Sequence, residues 1–171
     1  MGRRKGMEHS PQHRDHVHDD RGDPVNAKVV VGIDGSDTSW DAFCWACGET
    51  RRLGGRTVAV FVGPNPGASS ASATASLAGA AVPFGAIQQS TTEQAEELAD
   101  QVRAYGVDHG VDVTFLCTHG DTAKELLRVA HVDHADLIVV GRSTKARHQL
   151  AGSLGRRLVG KRGAPIIVVV P

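Results

Sequence analysis

Four short apolar runs constrain this chain more than any other feature: KVVVGI over 28–33, TVAVFV over 57–62, LIVV over 137–140 and PIIVVV over 165–170. Each is rich in β-branched residues and lacks polar–apolar alternation. A strand with one wet face alternates, whereas a strand covered on both faces need not. The runs are too short for typical helices. They predict strands of a parallel sheet sandwiched between helices, with a further strand over 111–117.

The segments between the runs carry helical periodicity. After Asp34-Gly35-Ser36, Asp37, Thr38 or Ser39 can cap a helix running to about Leu53. Its apolar stripe is Ala42, Phe43, Ala46, Thr50 and Leu53, and Gly54-Gly55 ends it. Thr91 or Thr92 opens a second helix, with Leu98, Val102 and Tyr105 inward and Glu93, Glu96, Glu97 and Asp100 early, near the positive end of its dipole. Thr122 and Glu125 form a T-x-x-E capping box for a third. A last helix spans Gly152 to about Arg162. Strand and helix alternate throughout 28–171, so right-handed crossovers build an open five-stranded parallel α/β sheet with helices on both faces.

Two segments do not fit this pattern. Residues 1–27 hold only Met1, Met7, Val17, Val25 and Ala27 as apolar residues, so they predict a disordered tail. His9, His13, His16 and His18 lie in it beside aspartates, without a spacing that fixes a metal geometry. Gly63 to about Gln89 is Ala, Ser, Gly and Pro without charge, and reads as a surface loop. No run approaches the length of a membrane span, no apolar stretch follows the basic Met1–Lys5, and Gly6 stands where myristoylation requires Ser or Thr. Three cysteines suit reduced thiols, and the expected location is the cytoplasm.

Charge is segregated. The chain has 19 basic and 19 acidic residues, which argues against a polycationic nucleic-acid coat. Yet no acid follows Asp136, while Arg142, Lys145, Arg147, Arg156, Arg157, Lys161 and Arg162 do. Gly141, Ser143, Thr144, Gly152 and Ser153 lie in the same segment. Backbone N–H groups at a helix start, a glycine and a serine hydroxyl make a pocket for an anion such as phosphate. Asp34, at the end of the first strand, can accept hydrogen bonds from a ligand or serve as an Asx-turn residue.

VVVGIDGSDTSWDAFCWA over 29–46, HGDTAKELLRVA over 119–130 and ADLIVVGRSTKARHQLAGSLGRRLVGKRGAPIIVVVP over 135–171 together resemble the universal stress protein family. The resemblance covers about 28–171. It implies an adenine-nucleotide-alpha-hydrolase-like fold with strand order 3-2-1-4-5, homodimers through the last strand, and ATP or another adenine nucleotide, including cyclic AMP, as ligand. Carried over by position, Asp34 contacts the adenosine end, Val62 and Gly32 line the adenine pocket, and Val140 and Gly141 approach the ribose. Gly152, Ser153 and Leu154 hold phosphates. The family motif is G-x-x-G, nine residues, then G-[ST]; here Thr144 replaces the second glycine, and seven residues separate it from Gly152. Thr144 disfavours a positive φ and adds bulk beside the phosphates.

The reading is therefore a cytoplasmic nucleotide-binding regulator of the stress response, with at most slow ATP hydrolysis, since Asp34 is the one acid expected near the phosphates. The alternative is a dimeric interaction module without nucleotide that docks an unidentified protein partner. A third reading is a dithiol redox protein through Cys44-x-x-Cys47, with Cys47 adjoining the buried stripe and Cys44 off it. Cys117 reads as a small core residue, Trp40 and Trp45 as packing or dimer contacts, and His119 as a border of the site. His131, Asp133, His134 and Asp136 read as a solvated connection rather than a metal site.

Overall fold

The computed structural model describes residues 26–65, 84–142, 154–159 and 163–171. The expected tail over 1–25, residues 66–83 of the expected loop, and Thr144, Gly152 and Ser153 lie outside the described residues. The order of elements is β1 (Lys28–Gly32), α1 (Asp37–Leu53), β2 (Arg56–Gly63), α2 (Phe84–His109), β3 (Val113–His119), α3 (Thr122–Val132), β4 (Leu137–Gly141), α4 (Leu154–Val159) and β5 (Ile166–Val170). The five described strands form one parallel sheet in the order β3-β2-β1-β4-β5.

The unalternating runs are explained by two cores. Val29, Val31, Ala59, Phe61 and Val139 point to one face, where α1 contributes Ala42, Phe43, Ala46 and Cys47 and α2 contributes Leu98 and Val102. Val30, Val58, Val60, Ile138 and Val140 point to the other, against Ala123, Leu126, Val129 and Ala130 of α3 and Leu158 of α4. Successive strand residues alternate faces, so a strand covered on both sides must be apolar at every position. Each fully buried Val or Leu contributes roughly 1.5–3 kcal/mol relative to exposure. On the first face Trp40, Phe43 and Tyr105 stack edge-to-face, with centroids 5.4 and 5.1 Å apart.

Thr50 and Thr57 show how the cores tolerate polar atoms. Both are fully buried, their hydroxyls are 2.9 Å apart, and Thr50 Oγ1 donates toward the Ala46 and Cys47 carbonyls. These bonds offset the desolvation that an unpaired hydroxyl would suffer.

Several local expectations are corrected. The cap of α1 is Ser36, whose Oγ accepts from Ser39 N at 3.3 Å, rather than Asp37, Thr38 or Ser39. Helix α2 begins at Phe84, well before Thr91, because the Ala- and Gly-containing stretch there is compatible with a helix despite its weak periodicity. Strand β3 runs Val113–His119 rather than 111–117, since Gly106 and Val111 are joined by a turn bond from Val111 N to Gly106 O. The cap of α3 is Asp121, with Oδ1 accepting from Lys124 N at 3.1 Å. Glu125 instead accepts from Thr118 Oγ1 and from Arg128, so the capping box does not form. Cys117 is exposed, because β3 is an edge strand with only partial cover.

Candidate functional site

The sheet reverses its winding at β1: the chain moves outward through β2 and β3, then returns to place β4 on the other side of β1. Such a reversal leaves a crevice at the carboxyl ends of the two central strands, because the helices that follow them lie on opposite faces. Helix α1 follows β1 on one face, and α3 and α4 cover the other. Gly32, Asp34, Val140 and Gly141 stand at these strand ends, with Gly32 paired to Val60.

The β1–α1 turn is held by a dense set of hydrogen bonds. Asp34 Oδ1 accepts from Ser36 N at 3.0 Å and Ser36 Oγ at 2.6 Å, the Asx-turn role anticipated from sequence. Ser39 Oγ accepts from Asp34 N at 3.3 Å and donates to Ser36 O at 2.8 Å. Gly35 supplies the positive φ of 83° between them. From α2, Gln94 Nε2 donates to the Asp34 carbonyl at 3.1 Å. Ser36 belongs to the turn expected from sequence, whereas the roles of Ser39 and Gln94 in holding it were not anticipated. Ser39 had a local signal in D-G-S-D-T-S, whereas Gln94 comes from 60 positions away.

Backbone dominates the strand ends. The Val140 side chain is buried in the core beneath the crevice, so only its peptide groups can face a ligand. A Cβ on Gly141 would lie 2.2 Å from the Thr38 carbonyl oxygen, so only glycine lets β4 approach the first turn of α1 so closely. A Cβ on Gly32 would meet Leu126 Cδ1 at 3.3 Å and Val140 Cγ1 at 3.6 Å. Val62 is half-buried in register with Thr118, and the next pair, Gly63 and His119, is close enough that a Cβ on Gly63 would lie 3.0 Å from the imidazole. His119 thus borders the carboxyl end of β2.

On the α3–α4 side, Arg157 Nη2 donates to Asp121 Oδ2 at 2.5 Å and fixes α4 against the α3 cap. That bond holds the Asp121 carboxyl below its ordinary 3.8. Hydrogen bonds from Arg128 and Thr118 likewise lower Glu125 from 4.5. Leu154, the first described residue of α4, is half-buried against the second core.

The other candidates separate from this region. Cys44 is exposed and Cys47 is buried; burial pushes the Cys47 thiol up to about 11, which opposes thiolate chemistry. Asp133 pairs with Arg56 at 3.0 Å, and Asp136 Oδ2 accepts from Lys28 N at 2.9 Å. Among the described residues no His, Cys, Asp and Glu side chains gather as a metal site, and no described helix is long and apolar enough to cross a membrane.

An open parallel sheet with a crevice of this kind defines a doubly wound α/β protein. The model of the universal stress protein family matches residues 26–170, and the chain belongs to that family. It is 25% identical over 153 residues to a universal stress protein of Methanocaldococcus jannaschii, covering 86% of this chain and 84% of that protein. Among solved structures, it is similar to UspA of Lactobacillus plantarum, with a TM-score of 0.64 and 18% identity over 85% of this chain and 98% of the other. The universal stress protein of Archaeoglobus fulgidus, solved in complex with dAMP, superposes with a TM-score of 0.59 at 17% identity, over 86% of this chain and 99% of that one.

Proposed function

We propose that this protein binds ATP or another adenine nucleotide at the β1–β4 crevice and, as a cytoplasmic homodimer, converts occupancy into a regulatory signal during stress. The observation that carries the reading is the crevice itself, where the winding reverses and Gly32 and Gly141 leave peptide groups at the strand ends. Ser36 orients the Asp34 carboxylate, as an acceptor for an adenosine hydroxyl or amine requires. The dAMP complex of the similarly folded Archaeoglobus fulgidus protein supports the choice of ligand class.

In this reading Val62 and Gly32 line the adenine pocket, Val140 and Gly141 approach the ribose, and Thr144, Gly152, Ser153 and Leu154 surround the phosphates. The bound nucleotide would supply the charge and shape that partners read; the protein's part is to bind and orient it. Equilibrium titration with ATP, ADP, AMP and cyclic AMP tests this. Micromolar to millimolar binding of at least one is expected, and no binding at millimolar concentration would sink the proposal.

Dimerisation is supported by β5. It is a sheet edge, and Ile166 and Val169 are 68% and 45% exposed. An exposed apolar edge strand favours pairing with a second copy. Ile166→Lys together with Val169→Lys should shift the protein to monomer in sedimentation, and an unchanged mass would exclude this edge as the interface.

A further inference from the structure

A groove of about 540 Å³ lies between α3 and the segment leading into β5, and none of its lining residues belongs to the β1–β4 crevice. Its floor includes Leu127 and Pro165, and its rim carries Lys124, Arg128, His131 and His134. No acid lines it. Of the nearby acids, Asp121 pairs with Arg157 and Asp133 with Arg56, away from the groove, while Glu125 pairs with Arg128 and partly offsets that rim charge. Lys124, His131 and His134 form no ion pair among the described residues, and all three are exposed.

The spacing explains the stripe. Lys124, Leu127, Arg128 and His131 stand at i, i+3, i+4 and i+7 of α3, so they share one face of the helix. From Lys124 to His131 the helix rises about 10 Å, the length of about three residues of extended chain. Basic side chains spread over that length suit several separate carboxylates better than one compact phosphate. The described lining has no Phe, Tyr or Trp ring, the larger stacking platforms that nucleic-acid bases favour, and offers only the two imidazoles. An extended peptide alternates its side chains, so acidic residues can reach the rim while apolar ones rest on the floor.

We propose that this groove docks an extended acidic segment of a partner protein, with alternate carboxylates on the Lys124–His131 rim and apolar side chains against Leu127 and Pro165. The test is fluorescence polarisation of the full chain with two short dye-labelled peptides, one alternating glutamate and leucine, the other lysine and leucine. The acidic peptide should bind and the basic one should not. Lys124→Glu should weaken binding about fivefold, the scale expected of reversing a rim charge, and His131→Glu, which places a carboxylate on the same rim, should weaken it as well. Arg103→Glu, at an exposed position on α2, should leave it unchanged, with circular dichroism reporting the fold of every variant. Equal binding of both peptides, or undiminished binding by Lys124→Glu, would overturn the proposal. So would displacement by equimolar inorganic phosphate, or tighter binding of an oligouridine.

Discussion

Arg157 donates to Asp121 Oδ2 at 2.5 Å while Oδ1 of the same carboxylate accepts from Lys124 N at 3.1 Å. One side chain therefore caps α3 and anchors α4. The two roles separate by substitution. Asp121→Asn keeps a capping oxygen and loses the ion pair, and should cost about 0–1 kcal/mol, because the pair is partly exposed. Asp121→Ala loses both, and should cost about 1–2 kcal/mol in urea denaturation. Equal losses for the two variants would show that the cap contributes nothing.

The same pairing sets an acid limit. Asp121 and Glu125 are held below their ordinary 3.8 and 4.5 by hydrogen bonds from Arg157 and Arg128 respectively. A carboxyl with a lowered folded pKa binds fewer protons folded than unfolded, so its stabilisation is complete above the ordinary value. It is lost as pH falls through the lowered folded value. Stability from these pairs should be level from pH 7 to about 5 and decline below about 4.5. Asp121→Asn should show a shallower acid decline in denaturation midpoints; an identical profile would exclude Asp121 as a contributor.

Two glycines should respond oppositely to alanine. At Gly141 the new Cβ would fall 2.2 Å from Thr38 O, 2.5 Å from Thr38 C and 3.0 Å from Ser39 N. All three are backbone atoms and cannot swing away, so Gly141→Ala should cost at least about 2 kcal/mol. At Gly48, within α1, a Cβ meets nothing within 4 Å. Gly48→Ala should stabilise by about 0.5–1 kcal/mol through helix propensity and loss of unfolded-state freedom. Thermal denaturation of both proteins checks the pair, and a neutral Gly141→Ala would contradict the close contact between β4 and α1.

What could be read from sequence follows the range of the interaction involved. β1, β2 and β4 announce themselves because burial on two faces demands apolar residues at every position, and that demand is visible within a single run. The Asx turn at Asp34 depends on residues two positions apart, so it too was legible. Asp121 and Thr122 offer equivalent capping chemistry, and only the path of the chain out of β3 decides between them. Cys117 reads as a core residue because a local apolar run does not show how little covers β3 at the sheet edge. The approach of Gly141 to Thr38, the reach of Gln94 to Asp34 and the Arg157–Asp121 bond join residues far apart in sequence, and no local pattern encodes them.

The C-x-x-C pair illustrates how packing overrides a motif. Cys44 and Cys47 are one helical turn apart on α1, but the helix buries Cys47 in the first core and leaves Cys44 in solvent. Burial lifts the Cys47 thiol to about 11, only partly countered by its hydrogen bond with Thr57. The thiolate is the reactive species, so at pH 8 alkylation should modify Cys44 well before Cys47 in the folded protein. Cys117, exposed on β3 but also raised by partial burial, should react at an intermediate rate. Mass spectrometry of a timed iodoacetamide reaction resolves the order. Cys47 should become reactive only when urea unfolds the chain. Matched rates for Cys44 and Cys47 under native conditions would mean that α1 opens far more readily than its packing implies, and would restore the dithiol as a candidate for redox chemistry.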